Sequence, residues 1–111
     1  MKITIKETLD VTPSLENYIE MKLMPLAKFV KSYEVKGDVE LKLEVSRTSR
    51  HHRKGEEVFM ASADLRLPRK ILRGESSAVD IRKAIDEVRA ILHMEIEKYK
   101  AKHSVIRREK K

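Results

Sequence analysis

The sequence predicts an α+β fold, a two-layer β-α-β-β-β-α sandwich with two helices packed on one face of a four-stranded sheet. Three segments carry apolar residues at every second position, as half-buried strands do, and a short fourth strand follows a turn. Two longer segments carry apolar residues at helical spacing, and their apolar faces must be buried against the sheet. The length of 111 residues suits one domain with a single core.

The first strand and the first helix follow directly from the N-terminal sequence. Residues KITIK (2–6) alternate, with both isoleucines on one side. Thr12 is the predicted N-cap of the helix, and Pro13 is its first residue, where a missing N–H costs nothing. Pro25 interrupts the helical pattern, so the helix should kink or restart there. The apolar positions of this helix are Leu15, Tyr18, Ile19, Leu23, Leu26, Phe29 and Val30.

The second and third strands are predicted to be the arms of a long hairpin. Apolar residues alternate with polar ones at Val39, Leu41, Leu43 and Val45, and again at Phe59, Ala61, Ala63, Leu65 and Leu67. A turn at Pro68 leads into the fourth strand, at about residues 71–75. The stretch SRTSRHHRKGEE (46–57) lies between the two arms and forms the predicted tip of the hairpin.

The second helix is predicted to be long. Ser77 and Asp80 have the spacing of a capping box, with Asp in place of the usual Glu, and predict its start. The helix should end near Lys102, so residues 1–103 are interpreted as one domain and residues 104–111 as a basic, flexible tail. Its predicted buried stripe is Ile81, Ile85, Val88, Leu92, Ile96 and Tyr99.

The positive charge is concentrated in two segments. The net charge is +7. The hairpin tip carries Arg47, Arg50, Arg53 and Lys54, and residues 98–111 carry seven lysines and arginines against Glu109 alone, which leaves the rest of the chain net acidic. Clustered basic residues indicate a polyanionic partner, most often nucleic acid. A solvated loop is the alternative for the hairpin tip. A surface laced with salt bridges is the alternative for the mixed polar stripe of the second helix, which consists of Arg82, Asp86, Arg89, His93, Glu97 and Lys100.

Several functional classes find no support in the sequence. There is no cysteine, and neither His51-His52 nor the distant pair His93 and His103 has the spacing of a metal site. No nucleophile, base and orienting group are recognisable together, so we expect no enzymatic activity, no cofactor and no small-molecule substrate. No secretory signal or apolar membrane span is recognisable, and a cytoplasmic location with no membrane partner is expected.

The aromatic residues favour recognition of RNA shape and backbone over base reading on the sheet. The five aromatic residues sit mostly at core spacing, whereas a single-strand reader exposes aromatic side chains on its strands. Arginine offers a planar fork that matches two phosphate oxygens, and such contacts carry no sequence information.

Three segments resemble the ribosome hibernation-promoting factors, also called ribosome-associated inhibitor or sigma-54 modulation proteins. The first is ITI (3–5) with VTPSL (11–15) and YIEMKL (18–23). The second is EVFMA (57–61) with LRLP (65–68) and LRGE (72–75), and the third is DIRKAIDEV (80–88). The resemblance spans about residues 2–102, and its specificity lies in the ordered combination of the segments.

The resemblance implies a non-enzymatic translation inhibitor of the short form. It implies binding to ribosomal RNA of the small ribosomal subunit, in the channel for messenger and transfer RNA, and the preservation of idle ribosomes. The free protein is expected to be a monomer. Lys22, Lys28, Lys98, Lys100 and Lys102 match basic positions of the family. The other candidate RNA-binding residues are Arg47, Arg50, Arg53, Lys54, Arg82, Lys83 and Arg89.

The chain departs from the family pattern at five positions that are often basic. These are Met21 and Pro25 in the first helix, and Ile91, Met94 and Glu97 in the second. Two alternatives to a hibernation factor remain open at this point. One is a general binder of double-stranded or structured RNA, and the other is a regulator whose basic clusters bind an acidic protein.

Overall fold

Four strands form one mixed sheet in the order β1-β2-β3-β4. The computed structural model describes residues 1–7, 11–48 and 58–109, with side chains described at 1–6, 11–47 and 58–102. The strands are β1 (Lys2–Glu7), β2 (Glu40–Thr48), β3 (Val58–Leu67) and β4 (Lys70–Ala78). The helices are α1 (Pro13–Leu23), α2 (Ala27–Val30) and α3 (Ile81–Glu109), with 3₁₀ turns at Met24–Leu26 and Lys31–Val35.

Strand pairing follows the connections between the strands. The helical segment crosses over between β1 and β2, which pair in parallel with Ile3 opposite Leu41. Strands β2 and β3 are antiparallel from Glu40 opposite Arg66 to Thr48 opposite Val58, as a hairpin requires. Strand β4 is antiparallel to β3 and extends beyond the predicted 71–75, because pairing continues to Ala78 opposite Phe59.

The core lies between the helices and one face of the sheet. Every predicted inward residue of β2 is buried, and in β3 all are buried except Phe59, which is half-buried. Helix α3 buries Ala84, Ile85, Val88, Leu92 and Ile96. Gly74 lets this helix approach β4 closely, since a Cβ there would lie 3.3 Å from a side-chain carbon of Ile91. The predicted two-layer α+β sandwich is confirmed.

The first helical segment begins and breaks as predicted. The backbone N–H of Leu15 donates to the Thr12 hydroxyl at 3.1 Å, so Thr12 is the N-cap. At Pro25 the chain changes to a 3₁₀ turn and then restarts as α2. Pro25 has no N–H with which to continue the α-helical ladder, which explains the break.

The predicted start of the second helix is wrong by one turn. The backbone N–H of Arg82 donates to the Asp80 carboxylate at 3.0 Å, so Asp80 caps α3. Ser77 lies in β4 opposite Met60, where sheet pairing prevents it from capping the helix. The predicted end near Lys102 is also wrong, since α3 continues to Glu109. The division into a domain at 1–103 and a flexible tail at 104–111 stays a prediction.

Helices α1 and α3 run parallel to each other. Ser14 and Tyr18 of α1 contact Arg82 and Asp86 of α3, and the residue numbers on both helices rise together along the contact. This arrangement follows from the topology, because each helix returns antiparallel to the strand before it and β1 and β4 point the same way. The line along which α3 meets α1 and then α2 is called the helix seam below, and it carries partly exposed side chains such as Tyr18 and Asp86.

Candidate RNA-binding surface

A tyrosine–aspartate pair joins the two helices at the helix seam. The Tyr18 hydroxyl donates to the Asp86 carboxylate at 2.7 Å. This hydrogen bond, with a smaller contribution from burial, raises the pKa of Tyr18 above its ordinary value. The Lys22 ammonium lies 3.8 Å from the same carboxylate. Asp86 therefore anchors α1 to α3 and sits among cations that it only partly neutralises.

Arg82 lies beside this pair in the first turn of α3. Its guanidinium donates to the Ser14 hydroxyl at 3.0 Å and lies 5.1 Å from the centre of the Tyr18 ring. The Lys22 ammonium lies 5.7 Å from the same ring. Attraction to the ring face holds both cations near Tyr18 without cancelling their charges. Ring and hydroxyl contacts thus orient Arg82 and leave it available to an anion.

Arg89 has a structural contact where α1 ends. Its Nε donates to the backbone carbonyl of Lys22 at 3.0 Å. The last carbonyls of a helix lack partners within the helix, and Pro25 removes another donor at this place. Arg89 therefore supplies a donor at the break between α1 and α2, while the rest of its guanidinium adds positive charge to the seam.

Further along the seam, Phe29 stacks on His93. The ring centres are 4.5 Å apart and the planes are inclined by 26°. The Lys28 and Lys100 ammonium groups lie 5.2 and 5.9 Å from the centre of the Phe29 ring. The His93 Nε2 lies 3.6 Å from a carboxylate oxygen of Glu97. Two rings and two cations from both helical segments therefore meet at one place.

The helix seam thus brings together five of the predicted RNA-binding residues, namely Lys22, Lys28, Arg82, Arg89 and Lys100. Their charges come from α1, α2 and α3, and the carboxylates of Asp86 and Glu97 lie on the same surface. A surface of this kind offers N–H donors and positive charge to phosphate groups. The expected alternative, a stripe laced with salt bridges, describes only part of it, because rings and backbone groups also hold the cations.

The other predicted residues of α3 lie outside these contacts. Lys83, Lys98 and Lys102 are exposed. The Lys98 ammonium lies 3.6 Å from the Glu95 carboxylate one turn earlier, a local pair on the helix surface. The structure therefore does not gather these three lysines into the helix seam with the other five.

The predicted hairpin cluster is described only at its base. Arg47 is exposed on β2, and its guanidinium lies 5.7 Å from the centre of the Phe59 ring on β3. Arg50, Arg53 and Lys54 lie outside the described residues, as do His51 and His52. The predicted contact between the hairpin tip and RNA phosphates therefore stays a prediction.

The departures from the family pattern have different structural settings. Met21 and Met94 are exposed, at 62% and 50%, so neither fills the core, although core filling is the more usual role of methionine. Ile91 packs over Gly74, which explains an apolar residue at that position. Glu97 contacts His93 as described.

Two further observations concern binding chemistry. Within residues 1–6, 11–47 and 58–102, no group of three or more His, Cys, Asp or Glu side chains is placed to hold a metal ion. Of the helices in the described part of the chain, none is both long and apolar enough to cross a bilayer.

Sequence reasoning missed the groups that organise this surface. Tyr18 and Phe29 were assigned to the apolar stripe of the first helix, and His93 to a mixed polar stripe. Their pairing across the seam was not predicted. Helical spacing placed Asp86 and His93 on one stripe of α3, but it contains no information about which residues of α1 face that stripe.

Comparison with known proteins identifies the fold and the family. A ribosomal subunit interface protein from Coxiella burnetii has a structure similar to this chain, with a TM-score of 0.70 and 20% sequence identity, covering 91% of this chain and 99% of that chain. The N-terminal domain of Protein Y from Thermus thermophilus has a TM-score of 0.60 and 22% identity, covering 88% of this chain and 94% of that chain. Identities this low support the fold alone. Among curated proteins there is no significant match.

The family of this chain is identified by a family model and not by the structural neighbours. The model described as "Sigma 54 modulation protein / S30EA ribosomal protein" matches residues 1–104, nearly the whole chain. The match covers all four strands, α1, α2 and most of α3, and therefore the entire helix seam. The predicted relationship is confirmed: the chain belongs to the sigma 54 modulation protein / S30EA ribosomal protein family.

Proposed function

We propose that this protein is a non-enzymatic translation inhibitor that binds the small ribosomal subunit in the channel for messenger and transfer RNA and preserves idle ribosomes. Family membership supports ribosome association, since the family description names a ribosomal protein. One of the similar structures is that of a ribosomal subunit interface protein. The observation that carries the proposal is the row of cations along the helix seam.

The seam binds ribosomal RNA through its backbone. Lys22 and Arg82 each lie within 6 Å of the Tyr18 ring centre, so donors from two helices are available to RNA phosphates around one ring. Arg82 offers a planar fork that matches two phosphate oxygens, and Lys22 acts as a point charge. Because α1 and α3 are joined through Asp86, little ordering is required when the RNA binds.

Inhibition in this proposal is steric and involves no bond making. The protein occupies a place that messenger and transfer RNA need, and the hairpin residues Arg47, Arg50, Arg53 and Lys54 extend the contact with RNA phosphates. The proposed cytoplasmic location follows from association with ribosomes. Lys83, Lys98 and Lys102 are exposed on α3 and add positive charge beside the seam.

Pelleting of the protein with purified small ribosomal subunits, at several salt concentrations, tests this proposal. We expect co-sedimentation that weakens steeply with salt, because phosphate contacts release condensed counterions. Transfer RNA bound beforehand should reduce it, since both ligands need the channel. An excess of generic duplex RNA should compete poorly.

The competition experiments with transfer RNA and duplex RNA distinguish the proposed function from its alternatives. A general binder of double-stranded RNA would be displaced from subunits by the duplex competitor, and transfer RNA would have no special effect. A regulator of acidic proteins would not pellet with the subunits at moderate salt. Inhibition of cell-free translation that is lost on dilution of the protein would support a steric mechanism.

A further inference from the structure

The Phe29–His93 stack differs from an ordinary core contact in its exposure. Phe29 is half-buried and packs against the core, whereas the His93 side chain is 39% exposed. The two rings are nearly parallel, at 4.5 Å between centres. Because Phe29 packs against the core, the exposed part of the pair includes His93, a planar ring to which another planar group can be added.

The second aromatic pair of the molecule shows the contrast. Tyr33 and Tyr99 lie with ring centres 5.5 Å apart and planes inclined by 50°. Both pack against the core. A tilted pair contributes to packing between elements but presents no continuous flat face. Of these two ring pairs in the described part of the chain, only Phe29 and His93 are nearly parallel, so the arrangement does not follow simply from two aromatic residues meeting between elements.

Two lysines approach this stack with their charges available. The Lys28 and Lys100 ammonium groups lie within 6 Å of the Phe29 ring centre, one from each helical segment. Neither forms an ion pair with an acidic side chain of the described residues, unlike Lys22 and Lys98, which lie near Asp86 and Glu95. The site therefore combines a planar aromatic pair with two cations within 6 Å of the Phe29 ring centre.

We propose that the Phe29–His93 stack binds one unpaired nucleobase of RNA, with Lys28 and Lys100 holding phosphates of the same strand. This inference rests on the proposed function for its RNA, but it adds a base contact to a surface otherwise suited to backbone binding. A nucleotide is the ligand that needs both features, since its base stacks on rings and its phosphate pairs with cations. An acidic peptide would occupy the lysines and leave the stacked rings unused.

Glu97 restricts where the phosphates of a bound RNA strand can lie. Its carboxylate lies 3.6 Å from the His93 Nε2, beside that edge of the imidazole. A phosphate beside this edge would face the carboxylate and be repelled. The phosphates are therefore directed toward Lys28 and Lys100, while the base covers the accessible face of His93. Any base can stack in this way, so the contact selects unpaired over paired RNA and not one base over another.

Titration with a mononucleotide tests the base contact on the free protein. Adenosine 5′-monophosphate should shift the ring signals of Phe29 and His93 in NMR spectra at millimolar concentration, because a stacked base changes their magnetic environment. Ribose 5-phosphate, which has the phosphate and lacks the base, is the matched control and should leave the ring signals in place. Equal shifts with both compounds would overturn the inference, since the lysines would then bind phosphate alone.

Variants of His93 test the contact on the ribosome. His93→Phe keeps an aromatic face and should bind small subunits within about twofold of the wild type. His93→Leu keeps apolar bulk against Phe29 without that face and should bind about tenfold more weakly, as expected for the loss of one stacked base. Met94→Leu, one residue away and also exposed, is the control and should bind as the wild type does.

The outcomes distinguish this inference from the proposed function. Unchanged binding by His93→Leu, or an equal loss in both His93 variants, would overturn the stacking site, provided that thermal unfolding shows each variant to be folded. Failure of the wild-type protein to pellet with small subunits would overturn the proposed function. The nucleotide titration on the free protein decides the stacking inference in that case as well.

Discussion

The two faces of the molecule hold their cations in different ways. On the open face of the sheet, Arg73 lies 2.8 Å from Asp64 and 3.9 Å from Glu75, so carboxylates neutralise it. On the helical face, rings and backbone carbonyls hold the cations, with Asp86 as a shared partner. A cation next to a ring keeps its charge for another ligand, whereas a cation paired with a carboxylate does not.

Cross-strand register explains the balance on the open face. Lys42 on β2 stands opposite Thr4 on β1 and Asp64 on β3, and Asp64 stands opposite Arg73 on β4. Opposite charges on neighbouring strands attract and favour this register. The same number of basic residues can therefore produce a neutral face or an anion-binding face, depending on their partners.

Removing three cations from the helical face should weaken binding to small subunits far more than removing three from the open face. This difference is the largest effect we expect. The variant with Lys22, Arg82 and Lys100 replaced by Ala should lose at least about 100-fold in affinity for small subunits, with a salt dependence reduced by about one unit for each phosphate contact removed. Pelleting at several salt concentrations measures both quantities.

The matched control removes three cations from the open face, with Lys2, Lys42 and Arg66 replaced by Ala. All three side chains are exposed there. This variant has the same net charge as the helical-face variant and should bind within about threefold of the wild type, with a similar salt dependence. Equal losses in the two triple variants would show that net charge alone drives binding.

The hairpin cluster should have the next largest effect. Replacing Arg47, Arg50, Arg53 and Lys54 together by Ala should weaken binding to small subunits about tenfold and flatten its salt dependence, because four cations are lost from a proposed phosphate contact. The melting temperature should stay nearly unchanged, since the core is formed by apolar residues and burying four charged side chains of the hairpin would be costly. Unchanged affinity and salt dependence would mean that the cluster is merely solvated.

Substitutions of Arg89 should change the stability of the protein and its RNA binding to different extents. Arg89→Ala should lower the free energy of unfolding by about 1 kcal/mol, because the Lys22 carbonyl loses a donor at the end of α1. Arg89→Lys keeps the charge and loses the guanidinium Nε. Compared with Arg89→Ala, it should therefore restore RNA binding more fully than it restores the free energy of unfolding. Urea unfolding together with pelleting measures the two effects, and equal recovery of both would contradict a capping role.

The smallest effect concerns Tyr18 at alkaline pH. Because the pKa of Tyr18 is raised in the folded protein above the ordinary tyrosine value of about 10, folding favours the protonated phenol, and the resulting stability is fully present below pH 10. This contribution should disappear as the pH rises through the raised pKa. Tyr18→Phe should therefore be less stable than the wild type by about 1 kcal/mol at pH 8, with the difference shrinking above pH 10. A constant difference across this range would rule out the hydrogen bond to Asp86 as its cause.

The fold was predictable because apolar residues recur in each element at the spacing typical of a strand or of a helix. Strand β2 buries every second residue from Val39 to Val45, and α3 buries a stripe at helical spacing. The ends of elements were less predictable, because local signals compete with tertiary pairing. Ser77 and Asp80 have capping spacing, yet the strand continues through Ser77 because β3 offers it a partner.

The candidate surface was predictable in its charges and not in its contacts. Lys22, Lys28, Arg82, Arg89 and Lys100 were predicted to bind RNA, and the structure brings them into one seam. Which ring or carbonyl holds each cation depends on how far α1 slides along α3, and the sheet sets that offset. A single sequence shows the period of each helix but not the offset between two helices.

The parallel course of α1 and α3 adds a contribution from the backbone itself. Aligned peptide dipoles place partial positive charge at the start of each helix, and here both starts lie side by side near Ser14 and Arg82. Most helix pairs in bundles are antiparallel and cancel these fields. In this fold the two backbone fields add at the Thr12 and Asp80 ends, and the Asp80 carboxylate that caps α3 offsets part of their sum. An RNA strand lying along the seam would therefore meet both helix starts at one end, with Arg82 as the side-chain cation beside them.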